Sequence, residues 1–240
     1  MTRIPRIAFS SRPSPAALAA WIAAPALFIA APAHAEPTEF TLDKGHAHIG
    51  WEVDHMDLAR TVGRFDRFEG RFLIDEDNPE NSRVSVTVDA ASVNSNHVGR
   101  DNHVRNADYL NVDAFPEVTF VSGEIVMASD TEGVMNGTLS MLGVEAPIAL
   151  DFRLVSDRTY PDFIPDYDEV RVVSFEATGQ LMRTDHGMDF IAFPGSPTGT
   201  TIDLDIAVDL VDCGSLPAEV ADTNVPCNWG YTDGLKGPSE

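Results

Sequence analysis

Residues 202–210, IDLDIAVDL, place Ile202, Leu204, Ile206, Val208 and Leu210 in one phase and Asp203, Asp205 and Asp209 in the other. A period of two sends alternate side chains to opposite faces, so this is a strand with one face buried and one in water. The rule recurs upstream. Ile49, Trp51 and Val53 alternate with His48, Gly50, Glu52 and Asp54; Val84, Val86 and Val88 alternate with Ser85, Thr87 and Asp89; and Ile148, Leu150, Phe152 and Leu154 share a phase. With the strand-like runs 63–74, 116–127, 133–142 and 170–181 there are about eight strands, separated by turn signals such as Asp77-Asn78-Pro79. Helical periodicity is confined to short pieces. The expected class is all-β and antiparallel, as a closed barrel or a sandwich, and periodicity alone does not separate the two. A barrel of eight strands either fills its interior with side chains or holds one small ligand.

One interruption stands out, the stretch 99–120, GRDNHVRNADYLNVDAFPEVTF. Strand connections are usually a few residues long, and longer polar inserts tend to carry function. A short helix is expected here, starting near Asn106 or Asp108, with Tyr109, Leu110 and Phe115 as its apolar side. The neighbours Arg100 and Asp101 have two readings. They anchor the insert through charge-assisted hydrogen bonds, or Arg100 and Arg105 offer a planar donor fork to a ligand's polar end.

The first 35 residues are set apart from the fold. Arg3, Arg6 and Arg12 precede an apolar stretch over 16–31, and Ala33-His34-Ala35 is a small-x-small cleavage pattern, so 1–35 reads as a signal peptide cut after Ala35. Pro25 interrupts that stretch, which is short for a membrane span. The expected location is the periplasm. The chain carries 16 Lys and Arg against 38 Asp and Glu, a net charge of −22, and all three leader charges are basic. The exported part is therefore more acidic still, which excludes nucleic acid as a partner and keeps membrane contact transient and local. Cys213 and Cys227, the only cysteines, follow the last strand and are expected to pair in an oxidising compartment. Closing that loop would contribute on the order of 3 kcal/mol. The expected organisation is a signal peptide over 1–35, a barrel domain over 36–212 and a disulfide-pinned tail over 213–240.

Several motifs in order along the chain carry a resemblance: Leu42-Asp43-x-x-His46, Gly63-Arg64-Phe65-x-x-Phe68-x-Gly70, Arg100-Asp101-x-His103-Val104-Arg105-x-x-Asp108-Tyr109-Leu110, Phe115-Pro116-x-Val118-Thr119-Phe120-x-Ser122, Gly137-x-Leu139-Ser140-x-x-Gly143-Val144 and Arg183-Thr184-Asp185-x-Gly187-Met188. Over about residues 40–211 the chain resembles the YceI-like family of exported bacterial lipid-binding proteins. The resemblance implies a single eight-stranded antiparallel lipocalin-like barrel with a short helical insert. It also implies an apolar lumen that takes a long-chain amphiphile, typically a polyisoprenoid such as a quinone or a prenyl phosphate, with no required cofactor and no catalysis. The chain departs from the pattern at His186, where an aromatic is more usual, in the acidic insert 160–169 and in the cysteine-bearing tail.

The residues themselves support a lumen independently. Burying an isoprenoid or acyl chain stabilises a complex by roughly 0.8 kcal/mol per methylene-sized group. Taken from the apolar phase of each strand, the candidate lining is Trp51, Phe65, Val86, Val88, Phe120, Leu139, Phe152 and Ile206, and the same phase would equally build a filled core. Arg100, Asp101, His103, Arg105 and Tyr109 are the candidates at the mouth, as ligand contacts or as structural pins. No metal site is expected, since His46, His48, His55, His97 and His103 form no ligand motif such as HExxH. The expected function is an amphiphile carrier, with a homodimer left open. The alternatives are a small secreted enzyme acting on a lipid-like substrate near Asp101 and His103, without any GxSxG to activate Ser122 or Ser140, or a partner protein of a membrane redox complex.

Overall fold

The computed structural model describes residues 37–161 and 169–216. The strands are β1 (Thr38–His55), β2 (Ala59–Phe65), β3 (Phe68–Ile74), β4 (Arg83–Asp89), β5 (Val93–Asn94), β6 (Glu117–Met127), β7 (Glu132–Met141), β8 (Val144–Thr159), β9 (Arg171–Met182) and β10 (Thr201–Asp212). One α-helix, α1 (Val98–Arg105), sits between β5 and β6. Every described pairing is antiparallel. The ladder runs β10-β9-β8-β7-β6-β4-β3-β1, and β1 pairs back onto β10, so the sheet closes. Closure selects the barrel over the sandwich and removes the sheet edges.

Ten segments make eight strand positions because two strands are bent. β2 and β3 lie on the same side of β1, with Phe65 opposite Ile49 and Arg71 opposite Thr41, and β4 and β5 follow them. The break in β2/β3 falls at Asp66 and Arg67, whose backbone amides donate to the Ser92 carbonyl at 3.1 Å and to Ser92 Oγ at 3.0 Å. Buried Ser92 thus satisfies the donors that the kink takes out of the ladder.

The register keeps the phase read from β10. Ile202, Leu204, Ile206, Val208 and Leu210 face Leu181, Gly179, Ala177, Phe175 and Val173 of β9. Apolar layers stack along the axis: Phe40, Leu42, Phe72, Val173 and Leu210 at one end; Phe120, Leu139, Ile148 and Leu150 in the middle; Val93, Leu110, Met141 and Met188 at the end under α1. Trp51 on β1 lies opposite Gly63 of β2, and a Cβ at Gly63 would overlap its indole, so the glycine is what lets the ring lie across its neighbour.

The helix does not start at Asn106 or Asp108, as the sequence predicts, but one segment earlier. His97 is its N-cap, with Nδ1 accepting from Arg100 N at 3.0 Å, while Asn106 is the C-cap. Histidine is outside the usual capping set, which hides the start. Tyr109, Leu110 and Phe115 then belong to the turns after the helix, held by Leu110 N donating to Val104 O at 2.9 Å and Phe115 N to Asn111 O at 2.9 Å. The expected signal peptide, Cys227 and most of the acidic insert lie outside the described residues. No helix among the described residues is long and apolar enough to cross a membrane.

Candidate functional site, an apolar lumen under a two-part cap

A cavity of about 710 Å³ runs inside the barrel. All eight residues chosen from strand phase border it: Trp51, Phe65, Val86, Val88, Phe120, Leu139, Phe152 and Ile206. Close-packed interiors hold few voids larger than a water, so a space of this size belongs to a container rather than to a filled core. Of the mouth candidates, Arg100, His103 and Tyr109 border the cavity, whereas Asp101 and Arg105 do not.

Asp101 and Arg105 act as pins. Ser95 N and Ser95 Oγ donate to Asp101 Oδ1 at 2.8 and 2.5 Å. Arg100 does not pair with Asp101 but meets the same residue, its Nε donating to Ser95 Oγ at 2.7 Å and its Nη2 to Ser95 O at 2.7 Å. Arg105 donates to Ala91 O at 2.8 Å and Val93 O at 2.6 Å, fastening α1 to the turn before β5 and to the start of β5 itself. Burial pushes the Asp101 carboxyl up, but the Ser95 bonds and the nearby Arg105 and Arg100 outweigh it and hold the group below its ordinary value.

A folded-state value below the unfolded one means that Asp101 contributes stability above about pH 4, the unfolded carboxylate range, and that this is lost as pH falls through the lower folded value. Asp101→Asn is expected to cost about 1–3 kcal/mol at neutral pH and to flatten the acid limb of the Tm profile. Thermal melts of both proteins from neutral pH down to about pH 2 check this, and parallel profiles would remove the pin.

The second half of the cap is the β9–β10 connection. Phe190 packs edge-on against His103 and Tyr109, at centroid separations of 5.6 and 5.5 Å, and those two rings are 5.0 Å apart. Beneath them is Arg183, 1% exposed, which stands out in the sequence only as part of the motif Arg183-Thr184-Asp185-x-Gly187-Met188. Its Nε donates to Gly199 O at 2.9 Å, Nη1 to Met188 O at 2.5 Å and Nη2 to Thr198 O at 3.4 Å. The guanidinium carbon stands 5.9 Å from the Tyr109 ring centroid. Burial pushes this guanidinium below its ordinary value, opposed by the nearby Tyr109 and Asp189. The signal available in the sequence is a basic residue ending an apolar-phase strand, with Gly187 four positions on taking the left-handed backbone (φ 75°) that closes the 3-10 turn. His186 does not border the lumen: it is buried, its Nδ1 donates to Val144 O at 3.1 Å, and it ties this turn to the β7–β8 hairpin.

The opposite end of the barrel is acidic. Asp75, Glu76, Asp130 and Asp157 border the cavity there with Arg171. Arg171 is taken up by Glu76, at 2.5 and 3.1 Å, and by Asp157, at 2.9 and 2.7 Å, and it lies 5.7 Å over the Phe40 ring. Its hydrogen bonds hold the Asp157 carboxyl below, and the Arg171 guanidinium above, their ordinary values.

Among the described residues His103, Asp101 and Ser122 are not brought together as a Ser-His-Asp set. His103 Nε2 bonds Asp108 Oδ2 at 3.0 Å rather than Asp101, and Ser122 Oγ accepts from Val84 N at 2.8 Å within the sheet. Among the described residues no group of three His, Cys, Asp or Glu side chains is placed to hold a metal.

The family model described as the YceI-like domain matches residues 40–210, from within β1 to within β10. The chain is a member of the YceI-like family. YceI-like relatives include a UPF0312 protein of Shewanella sp. strain MR-7, 32% identical over 184 residues, which cover 76% of this chain and 92% of that one. A UPF0312 protein of Pectobacterium atrosepticum is 33% identical over 173 residues, 71% of this chain and 85% of that one. Among solved structures, the Campylobacter jejuni YceI protein superposes with a TM-score of 0.58 at 24% identity, covering 66% of this chain and 89% of that one. A domain of Saccharophagus degradans, described as polyisoprenoid-binding, superposes with a TM-score of 0.51 at 12% identity, covering 74% and 99%. At these identities the two structures show the shared YceI-like fold.

Proposed function

We propose that this YceI-like protein is a periplasmic carrier that holds a long-chain amphiphile, a polyisoprenoid such as a quinone or a prenyl phosphate, inside the barrel. The observation that carries this reading is the apolar lumen of about 710 Å³, a size typical of sites that bury most of a small ligand. The polyisoprenoid-binding description of the Saccharophagus degradans domain supports the ligand class. The leader over 1–35 supports export, and the protein needs no cofactor beyond its cargo. Organic extraction of the protein prepared from its native periplasm, followed by mass spectrometry, is expected to return stoichiometric lipid. Recovery of protein without lipid overturns the reading.

Contact with a membrane is transient in this reading and uses the capped end. Leu58 in the β1–β2 turn is 79% exposed and Phe193 in the β9–β10 connection is 56% exposed, both in connections that leave strands at the capped end. A hydrocarbon chain passing from a bilayer over these side chains crosses little polar surface, while the acidic remainder of the protein is repelled by anionic headgroups. Leu58→Asp combined with Phe193→Asp is expected to slow lipid transfer between neutral vesicles about tenfold without changing the lipid retained at equilibrium. An unchanged transfer rate would assign these side chains no part in docking.

A further inference from the structure

Arg171, Val173, Phe175, Ala177 and Leu181 share one phase of β9, and all of them border the lumen. A strand that faces a hydrocarbon space thus begins with a guanidinium. β8 ends in a similar way. Leu154 lies opposite Phe175 but Ser156 lies opposite Ser174, so β8 carries one residue more than β9 at that point. A bulge of this kind reverses the face taken by the residues beyond it and re-aims a side chain. It places Asp157 opposite Val173, in the inward phase, whereas the alternation of Leu150, Phe152 and Leu154 continued without it would turn Asp157 outward. β3 supplies the third case: Phe72 and Ile74 border the lumen, and Glu76, two residues on in the connection to β4, borders it as well.

These three ends meet. Arg171 donates to both oxygens of Asp157 through Nε and Nη2, and to both oxygens of Glu76 through Nη1 and Nη2. Asp157 is on the neighbouring strand, but Glu76 is not, since β10 and β1 stand between β9 and β3 in the closed ladder. The Arg171–Glu76 bond therefore crosses the ends of two strands as a strap. The ring of Phe40, 1% exposed and itself bordering the lumen, lies 5.7 Å from the guanidinium carbon. The backbone amide of Arg171 donates to Ser215 Oγ at 3.0 Å, which fixes the foot of the strap. Arg171 is matched by two carboxylates, so it offers no site to an anionic head group. What it offers a hydrocarbon is an obstacle, because lying against the strap strips water from charged groups. A chain that runs on has to pass between the strap and Asp130 and Thr131 of the β6–β7 turn, which border the same mouth.

We infer that the Arg171–Glu76 strap is a length-selecting stop: it narrows the mouth opposite the cap, so that an isoprenoid chain ending below it is held in preference to one long enough to run past it. This rests on the carrier reading and adds to it a specificity-determining contact. The apolar walls then select for girth, and the strap selects for length.

A competition between two polyprenols tests this. The purified protein is offered geranylgeraniol and the longer solanesol together in neutral phosphatidylcholine vesicles, re-isolated and extracted, and mass spectrometry gives the ratio bound. The unaltered protein is expected to take geranylgeraniol in preference. Glu76→Ala cuts the crossing bond and leaves Arg171 on Asp157, and it is expected to raise the solanesol-to-geranylgeraniol ratio about fivefold, the scale of a half-exposed ion pair. Asp157→Asn loosens Arg171 on its own side of the mouth without cutting the crossing bond, and the ratio is expected to stay within about twofold. Equal shifts in the two variants report a general loosening and overturn the inference, as does an unchanged ratio in Glu76→Ala. Glu76→Gln keeps the size of the side chain and loses its charge; it is expected to move the ratio the same way by less, and it decides the matter if Glu76→Ala does not fold. A preference for solanesol in the unaltered protein overturns the inference and leaves the carrier reading standing. Recovery of neither polyprenol overturns both.

Discussion

Arg183→Met is expected to destabilise the protein by about 2–4 kcal/mol, lowering Tm by roughly 4–16 °C, with the β9–β10 connection losing its hydrogen-exchange protection first. Methionine keeps most of the volume but donates nothing, so the carbonyls of Gly199 and Met188, and the more distant one of Thr198, lose their partner. Two effects compete. Removing a buried cation that makes no ion pair among the described residues relieves a desolvation cost, while orphaning buried acceptors adds one. The second wins here because charge-assisted bonds of 2.5 and 2.9 Å are strong, guanidinium is weakly hydrated among cations, and the Tyr109 face adds a cation–π contribution. Arg183→Lys separates charge from geometry: a single ammonium cannot span three carbonyls, so rescue is expected to be slight. Full rescue by lysine would show that the fork is not what matters.

Ala177→Trp is expected to leave a folded barrel that retains no lipid. Ala177 borders the lumen between Phe152 of β8 and Ile206 of β10, midway along the axis. An indole there occupies space that the hydrocarbon chain would use. Excluding about four methylene-sized groups costs roughly 3 kcal/mol of binding, a hundredfold or more in affinity. Because the new side chain enters an existing space instead of a packed core, Tm is expected to hold or rise. Melts together with extraction and mass spectrometry check both halves. Stoichiometric lipid in a folded Ala177→Trp protein would mean that the cargo lies elsewhere.

Much of this architecture is legible in the chain because strand phase is a geometric rule. The alternation of Ile202 to Leu210 with Asp203, Asp205 and Asp209 specifies which side of β10 meets the lumen, and the lumen residues chosen by phase all border the cavity. Phase carries no information about whether the inside is full, since an inward Val86 is the same whether it meets another side chain or a space. The bends at Asp66–Arg67 and before β5 are not legible either, because they depend on each other: Ser92, in the turn between β4 and β5, reaches across to the amides of Asp66 and Arg67. At the cap, the pairing suggested by adjacent Arg100 and Asp101 gives way to a shared tether on Ser95, an uncharged residue that no charge pattern marks. That the buried indole Nε1 of Trp51 has no hydrogen-bond partner among the described residues is invisible in sequence for the same reason: whether an indole finds an acceptor is decided by what lies opposite it, and opposite it lies Gly63.

The seam between β1 and β10 joins the first described strand to the last, with Thr41 beside Val211. β1 is made first, and it stays unpaired on that side until β10 is available. Barrels dominated by such distant pairings fold on the millisecond-to-second scale, slowly compared with helical bundles of similar size. Until that last ladder zips, there is no enclosed interior, only a curled sheet with two open margins. The container therefore exists only once every ladder is formed, and a cargo can be enclosed only by a finished chain.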